Sequence, residues 1–206
     1  MRRSSVFFSA AAVAALLAGG SASAQLQTWN IDPAHTSTQF AVRHMGISTV
    51  RGAFTKVSGT VDYDPADLKK TAIEATIDAA SVDTRVERRD NDLRSPNFFD
   101  VAKYPTLTFK SKSVEPAGSG KMKVSGDLTI HGVTKPVVLD VDGPTEPMKD
   151  PHGNLHMGAS GTTTVNRKDF GVSGLPGIVG DEVSITLDIE VVHKTSSPPT
   201  DAPSNK

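Results

Sequence analysis

Val183-Ser184-Ile185-Thr186-Leu187-Asp188-Ile189-Glu190-Val191 alternates apolar and polar residues without a break. Successive side chains of a β-strand point to opposite faces, so this stretch has one dry face and one wet face. A helix would spread the same residues around its whole surface. Working outward, the same period of two runs through Met122, Val124, Gly126, Leu128 and Ile130. It recurs through Ile73, Ala75, Ile77 and Ala79 and through Val57, Gly59, Val61 and Tyr63, with weaker versions at 40–44, 107–114, 137–141 and 155–165. Turn-forming residues separate many of these runs: Asp64-Pro65, Gly118-Ser119-Gly120, His131-Gly132, Asp142-Gly143-Pro144 and Asp150-Pro151-His152-Gly153. Such short connections join antiparallel neighbours.

One segment departs from the period. Thr84 and Glu87 have capping-box spacing, Val86, Asp90 and Leu93 fall near one helical stripe, and Ser95-Pro96 stops it. The reading is an all-β domain with one short helix. About eight or more strands with a single inner face build either a two-sheet sandwich or a closed barrel, and periodicity alone does not separate them. Gly59, Ala75, Ala79, Gly126, Ala159 and Gly161 lie on inner faces, and small residues there favour a barrel with space inside.

The chain has 206 residues, 37% hydrophobic and 22% charged, which fits a soluble globular fold. Lysine and arginine total 22 against 23 acidic residues, so no overall basic field exists to hold nucleic acid. The N-terminus carries Arg2 and Arg3, an apolar run over 6–18 and the small residues Ala22-Ser23-Ala24. This reads as a signal peptide over 1–24, cleaved before Gln25, because the run is shorter than the ~20 apolar residues that cross a bilayer. The expected mature protein is periplasmic and has no transmembrane segment. With no cysteine, it depends on its core rather than on disulfides, and thiol chemistry is excluded. Residues 195–206 (TSSPPTDAPSNK) contain no large apolar residue and read as a disordered tail, leaving one domain over 25–194.

Catalytic signatures are sparse. No G-x-S-x-G elbow is present, and Gly118-Ser119-Gly120-Lys121 lacks the remainder of a phosphate loop. His152 and His156 fall at a turn and a strand start and read as solvated histidines, so no metal is expected. His44 follows Phe40 and Val42 on an apolar face and is expected to point inward, as a core histidine or a ligand contact. The densest polar segment holds Asp83, Arg85, Arg89 and Asp90. It reads either as salt bridges pinning the helix or as a polar rim for an amphiphile's head group.

The strings Ser81-Val82-Asp83-Thr84-Arg85, Arg89-Asp90, Leu93-Arg94-Ser95, Phe98-Phe99-Asp100 and Tyr104-Pro105-Thr106 strongly resemble the YceI-like family. Further matches are Trp29, Ile31-Asp32, His35-Thr36, Phe40-Ala41-Val42-Arg43-His44, Gly52-Ala53-Phe54, the run from Leu128 to Val137, and the run from Asn166 to Gly171. They span nearly the whole mature chain in the expected order. The resemblance implies a lipocalin-like extended antiparallel β-barrel whose apolar pore holds a polyisoprenoid or similar long chain, in an exported protein. It implies no catalytic residue and no cofactor. Many members carry histidine where this chain has Asp92 and aspartate where it has Asn97.

The expected ligand-binding wall comprises Phe40, Val42, His44, Phe54, Leu93, Phe98, Phe99, Phe109, Phe170 and Ile178, with the glycine-rich 171–180 loop as a lid. Transient membrane contact and a homodimer are compatible with that reading. Two other readings compete with a carrier. One is an enzyme using His44, Asp83, Arg89 and Asp90 as acid–base groups; the other is a structural barrel filled by its own side chains.

Overall fold

The computed structural model describes residues 26–195. The expected signal peptide and all of the expected tail beyond Thr195 lie outside the described residues. Wherever the sequence alternates, a strand forms. In chain order these are β1 (Gln27–Ile31), β2 (Ser37–His44), β3 (Ser48–Phe54), β4 (Val57–Tyr63), β5 (Ala72–Asp78) and β6 (Val82–Asp83). After the one α-helix among the described residues, α1 (Glu87–Arg94), come β7 (Thr106–Pro116), β8 (Lys121–Ile130), β9 (Val133–Asp142), β10 (Met148–Lys149), β11 (Leu155–Asn166) and β12 (Val179–His193).

Eight strands close a ring in the order β11, β9, β8, β7, β5, β4, β1, β12, and β12 returns to β11. Every pairing in it is antiparallel. The ring distinguishes a barrel from a sandwich. β12 is its spine. One edge pairs with all of β11, from Leu155↔His193 to Asn166↔Glu182. The other edge is shared: β1 takes Val191 and Val192, and β2 takes the part from Val179 to Asp188. β2, β3 and β6 therefore extend the wall beyond the ring.

Directly opposed residues share a face, and the register puts Ile185 opposite Phe40, Val183 opposite Val42 and Ile189 opposite Ala159 on the inner side. Outside, Lys123 Nζ lies 2.6 Å from Asp140 and Lys110 Nζ 2.6 Å from Glu74. Such exposed pairs add little stability, but they match the wet face to solvent.

The helix is held differently from its sequence expectation. α1 begins after Val86, which makes no side-chain cap bond, so the capping box does not form. Thr84 is buried instead, and both its N–H and its hydroxyl donate to buried Asp90 Oδ1. Two groups shut away from water must satisfy each other, and that requirement overrides the local cap. Arg89 Nε donates to Thr84 Oγ1 at 2.7 Å and Arg94 Nη2 to Val82 O at 2.7 Å, strapping α1 to β6. The salt-bridge reading is likewise corrected. Among the described residues no carboxylate lies within ion-pair distance of Arg85, Arg88, Arg89 or Arg94. Arg89 and Arg94 bind backbone carbonyls, a hydroxyl and the Asn91 side-chain oxygen rather than carboxylates.

The 171–180 loop is clipped from within. Arg167 is 6% exposed, and its guanidinium donates to Val172 O (2.9 Å), Gly174 O (2.8 Å), Val179 O (2.9 Å) and Gly180 O (2.9 Å). Burial pushes its pKa down, with Asp181 opposing, and the planar fork reaches all four carbonyls at once. Replacing Arg167 with Met is expected to leave these carbonyls dry, at about 1–3 kcal/mol for each one not rescued by water. Urea unfolding reads this as a lower midpoint, with Arg167→Lys intermediate; a midpoint equal to wild type would show that the clip is not needed.

Candidate functional site

The barrel interior holds a cavity of about 290 Å³. Its wall takes Phe40 and Val42 from β2, Phe54 from β3, Ile77 from β5, Leu107 and Phe109 from β7, Leu128 from β8, and Ile185, Leu187 and Ile189 from β12. Lining residues on β12 run from Val179 to Val191, a stretch of about 40 Å along the strand. The space is therefore elongated and greasy. Two of the polar lining residues spend their hydrogen bonds on the protein: Thr38 Oγ1 donates to Phe54 O at 2.9 Å and Ser160 Oγ to Asp188 Oδ1 at 2.7 Å, whereas Thr71 Oγ1 is buried without a partner among the described residues. An apolar chain meets a wall that exposes very little polar surface.

Aromatic rings are shaped by glycines behind them. A Cβ at Gly52 would lie 2.5 Å from Phe40 Cζ, and one at Gly126 would lie 2.6 Å from Phe109 Cζ. These glycines let both rings lie flat on the neighbouring strand, leaving the middle open. Phe40, Phe54 and Phe99 then form a run, with centroids 5.8 and 5.5 Å apart. Of the small residues expected on inner faces, Ala75, Ala159 and Gly161 line the cavity, whereas Ala79 is fully buried in the core beside Phe98 and Leu107.

Phe40, Val42, Phe54, Leu93, Phe98, Phe99, Phe109 and Phe170 all reach the cavity wall. His44 does not. β2 contributes to the wall only as far as Val42, and the irregular register of β12 between Val179 and Val183 carries half-buried His44 beyond it. Ile178 is also corrected: it is 41% exposed, because the inward residues of its loop are Val172 and Val179. Asp83 and Arg85 are exposed, Arg89 and Asp90 are occupied with Thr84, and none of the four lines the cavity. Arg89 and Asp90 form a brace behind the wall, and none of the four forms a rim. His44, Asp83, Arg89 and Asp90 are accordingly not assembled as an acid–base group. Asp92 and Asn97 lie outside the cavity and bond to each other, Nδ2 to Oδ1 at 3.0 Å. Ile77, Leu107 and Leu128 were missed as wall residues although they sit on the alternating strands, because alternation marks a face without showing where along it the space lies.

The family model for the YceI-like domain matches residues 29–191, from Trp29 in β1 to Val191 in β12. The chain belongs to the YceI-like family. A UPF0312 protein of Vibrio cholerae is 38% identical over 161 residues, covering 78% of this chain and 84% of the relative. The crystal structure of a Campylobacter jejuni YCEI protein superposes with a TM-score of 0.66 at 34% identity, covering 74% of this chain and 90% of that one. A polyisoprenoid binding domain from Saccharophagus degradans has the same fold, with a TM-score of 0.60 at 16% identity, covering 82% of this chain and all of that domain. No helix among the described residues of this YceI-like chain is long and apolar enough to cross a membrane.

A second polar group lies on the outer face of β11 and β12. Asp32, His35 and Glu190 bring ligand-type atoms within 4.8 Å of one another. His35 Nδ1 is hydrogen-bonded directly to Asp32 Oδ2 at 2.8 Å, closer than two ligands of one tetrahedral metal ion would sit. His156, far from being a solvated histidine, is clasped. Nδ1 lies 2.8 Å from Glu190 Oε1 and Nε2 3.2 Å from Asp150 Oδ2. Carboxylates only accept, so the doubly protonated ring satisfies both. The Glu190 bond and then the Asp150 bond hold the His156 pKa above the ordinary imidazole value. The Asn154 amide, and then His156, hold Asp150 well below the usual carboxylate range against the opposing effect of burial.

The signs define a window. The raised His156 contributes fully below its unfolded pKa of about 6.5 and loses its contribution as pH climbs through the folded value. The lowered Asp150 contributes above about 3.9 and loses its contribution as pH falls through its folded value. The melting temperature of the YceI-like barrel is expected to decline as pH rises above about 6.5, and His156→Gln should remove part of that decline, His35 supplying the rest. Identical pH slopes in the two proteins would show that the clasp is not linked to folding.

Proposed function

We propose that this YceI-like protein is a periplasmic binding protein that carries a polyisoprenoid or similar long apolar chain inside the barrel. The observation that carries this reading is the elongated cavity, whose wall is almost wholly apolar. Burying such a chain contributes about 0.8 kcal/mol per methylene before ordering costs, so a few isoprene units give useful affinity. The shared fold with the polyisoprenoid binding domain of Saccharophagus degradans supports the same ligand class. Export rests on the Arg2-Arg3, apolar and Ala22-Ser23-Ala24 sequence, with the mature domain over 25–194 followed by a polar tail. Phe40, Val42, Phe54, Leu93, Phe98, Phe99, Phe109 and Phe170 are the proposed chain-contacting residues. Binding rather than catalysis is the role, since the wall offers shape and apolar surface instead of paired acids and bases.

A plug tests the cavity directly. A Cβ at Gly161 would sit 3.7 Å from Leu187 Cδ1 and 3.7 Å from Val141 Cγ2, which is ordinary packing. Gly161→Leu should therefore fold while filling part of the channel. Organic extracts of detergent-free wild-type protein are expected to yield prenyl lipid by mass spectrometry. A fluorescent prenyl probe should bind wild type at least about tenfold more tightly than Gly161→Leu, a difference of about 1.4 kcal/mol. Absence of both extractable lipid and saturable probe binding would overturn the carrier reading.

A further inference from the structure

The tip where β2 turns into β3 goes against local preference. Met45 and Gly46 form the turn at φ +52° and +70°, a region that suits Gly, Asn or Asp because other side chains are strained there. Met45 nonetheless places a long apolar side chain there, 58% exposed, and Ile47 beside it is 77% exposed. The neighbouring loop repeats the pattern: Leu175 has φ +49° and is 47% exposed, and Ile178 is 41% exposed. The Met45 N–H donates to Ile178 O at 2.7 Å, so the two loops present all four side chains from one tip. Neither core packing nor backbone geometry explains apolar residues at these positions.

On the β2–β3 side of the tip the charge is one-sided, while at the end of the other loop Asp181 is paired with Arg167 and Lys168. Between Arg43 and Arg51 there is no acidic residue. Both arginines are exposed, and Ala41↔Arg51 and Arg43↔Thr49 place them on the outer face of the β2–β3 hairpin. Arg43 donates to Thr49 Oγ1 at 2.9 Å and to Gly46 O, which braces the turn and leaves its charge unneutralised. Among the described residues neither arginine has a carboxylate within ion-pair distance, whereas Lys110, Lys112, Lys121 and Lys123 around the barrel are all paired.

We propose that this tip docks the protein on an anionic phospholipid surface. Met45, Ile47, Leu175 and Ile178 enter the headgroup region while Arg43 and Arg51 meet lipid phosphates. The proposal rests on the carrier reading and names where such a carrier meets its membrane. The tip continues the cavity wall: Val42 is three residues from Met45, about 10 Å along the strand, and Val179 follows Ile178 directly. A chain leaving the bilayer there has an apolar path toward the interior.

Flotation of the mature protein with vesicles of phosphatidylcholine, alone or mixed with phosphatidylglycerol, tests this. Binding is expected to the mixed vesicles, to weaken as salt is raised, and to fall at least about tenfold in Ile47→Asp. Met45→Asn and Leu175→Asn should also bind less while melting at the same or a higher temperature, since Asn suits positive φ. Lower melting of both Asn variants would assign the apolar residues to packing and overturn the proposal. So would wild-type flotation in all variants, no flotation of wild type, or an Ile47→Asp change from dimer to monomer on a sizing column, which would make a second copy the occupant. Prenyl-probe loading in solution separates the two readings. Loading without flotation defeats docking alone, and flotation without loading defeats the carrier alone.

Discussion

The structure depends on β12 having two edges and three partners. β11 follows one edge for twelve residue pairs, while β1 and β2 divide the other between them. A backbone edge can serve two strands only in succession, so the chain must leave β1, step across Asp32 to Thr36, and resume pairing farther along as β2. This displacement lengthens the wall past the eight-strand ring and makes the interior a channel instead of a short cup. Closure between β9 and β11 rests on only three residue pairs, Ser160↔Asp142 to Thr162↔Asp140. The long β11–β12 ladder therefore carries most of the task of keeping the ring shut.

Most of the buried polarity around this channel is answered by the protein itself, with Thr71 Oγ1 on the wall left without a partner among the described residues. Arg167 gathers four loop carbonyls, Arg94 straps the helix to the backbone of β6, and Thr84, Arg89 and Asp90 satisfy one another. A guanidinium bound to carbonyls keeps its charge and loses little by being shielded when its fork is fully used. Glycines at 52 and 126 perform the complementary task on the apolar side, removing Cβ atoms where Phe40 and Phe109 must lie against the wall. Dryness and hollowness thus have separate structural causes. Family membership and the elongated cavity support the same functional conclusion from independent directions.

Much of the fold was legible because its signal is local. Alternation over 121–130 and 183–191 marked β8 and β12, and His131-Gly132 marked the hairpin between β8 and β9, whose φ values of +52° and +74° a two-residue turn requires. β3 was not recognised, since Val50, Gly52 and Phe54 alternate weakly, and β6 and β10 have only two residues each. The aromatic wall was legible as an apolar set. His44 and Ile178 were misplaced because continuing a face by parity ignores where a strand runs past the cavity. Thr84 was misread for a similar reason: spacing to Glu87 suggested a cap, but burial beside Asp90 set its partner.

By itself, then, the sequence determined where most of the long strands lie, which of their faces are dry, where many of the turns fall and which family it resembles. Each of these follows from residues within a few positions of one another. Tertiary structure alone decided that the dry faces enclose one channel, how far that channel reaches, and that the charged helix segment stands behind its wall. The physical reason is that ring closure and register pair residues far apart in the chain, such as Ala159 with Ile189 and Phe40 with Ile185. A period of two says nothing about which strand will lie alongside.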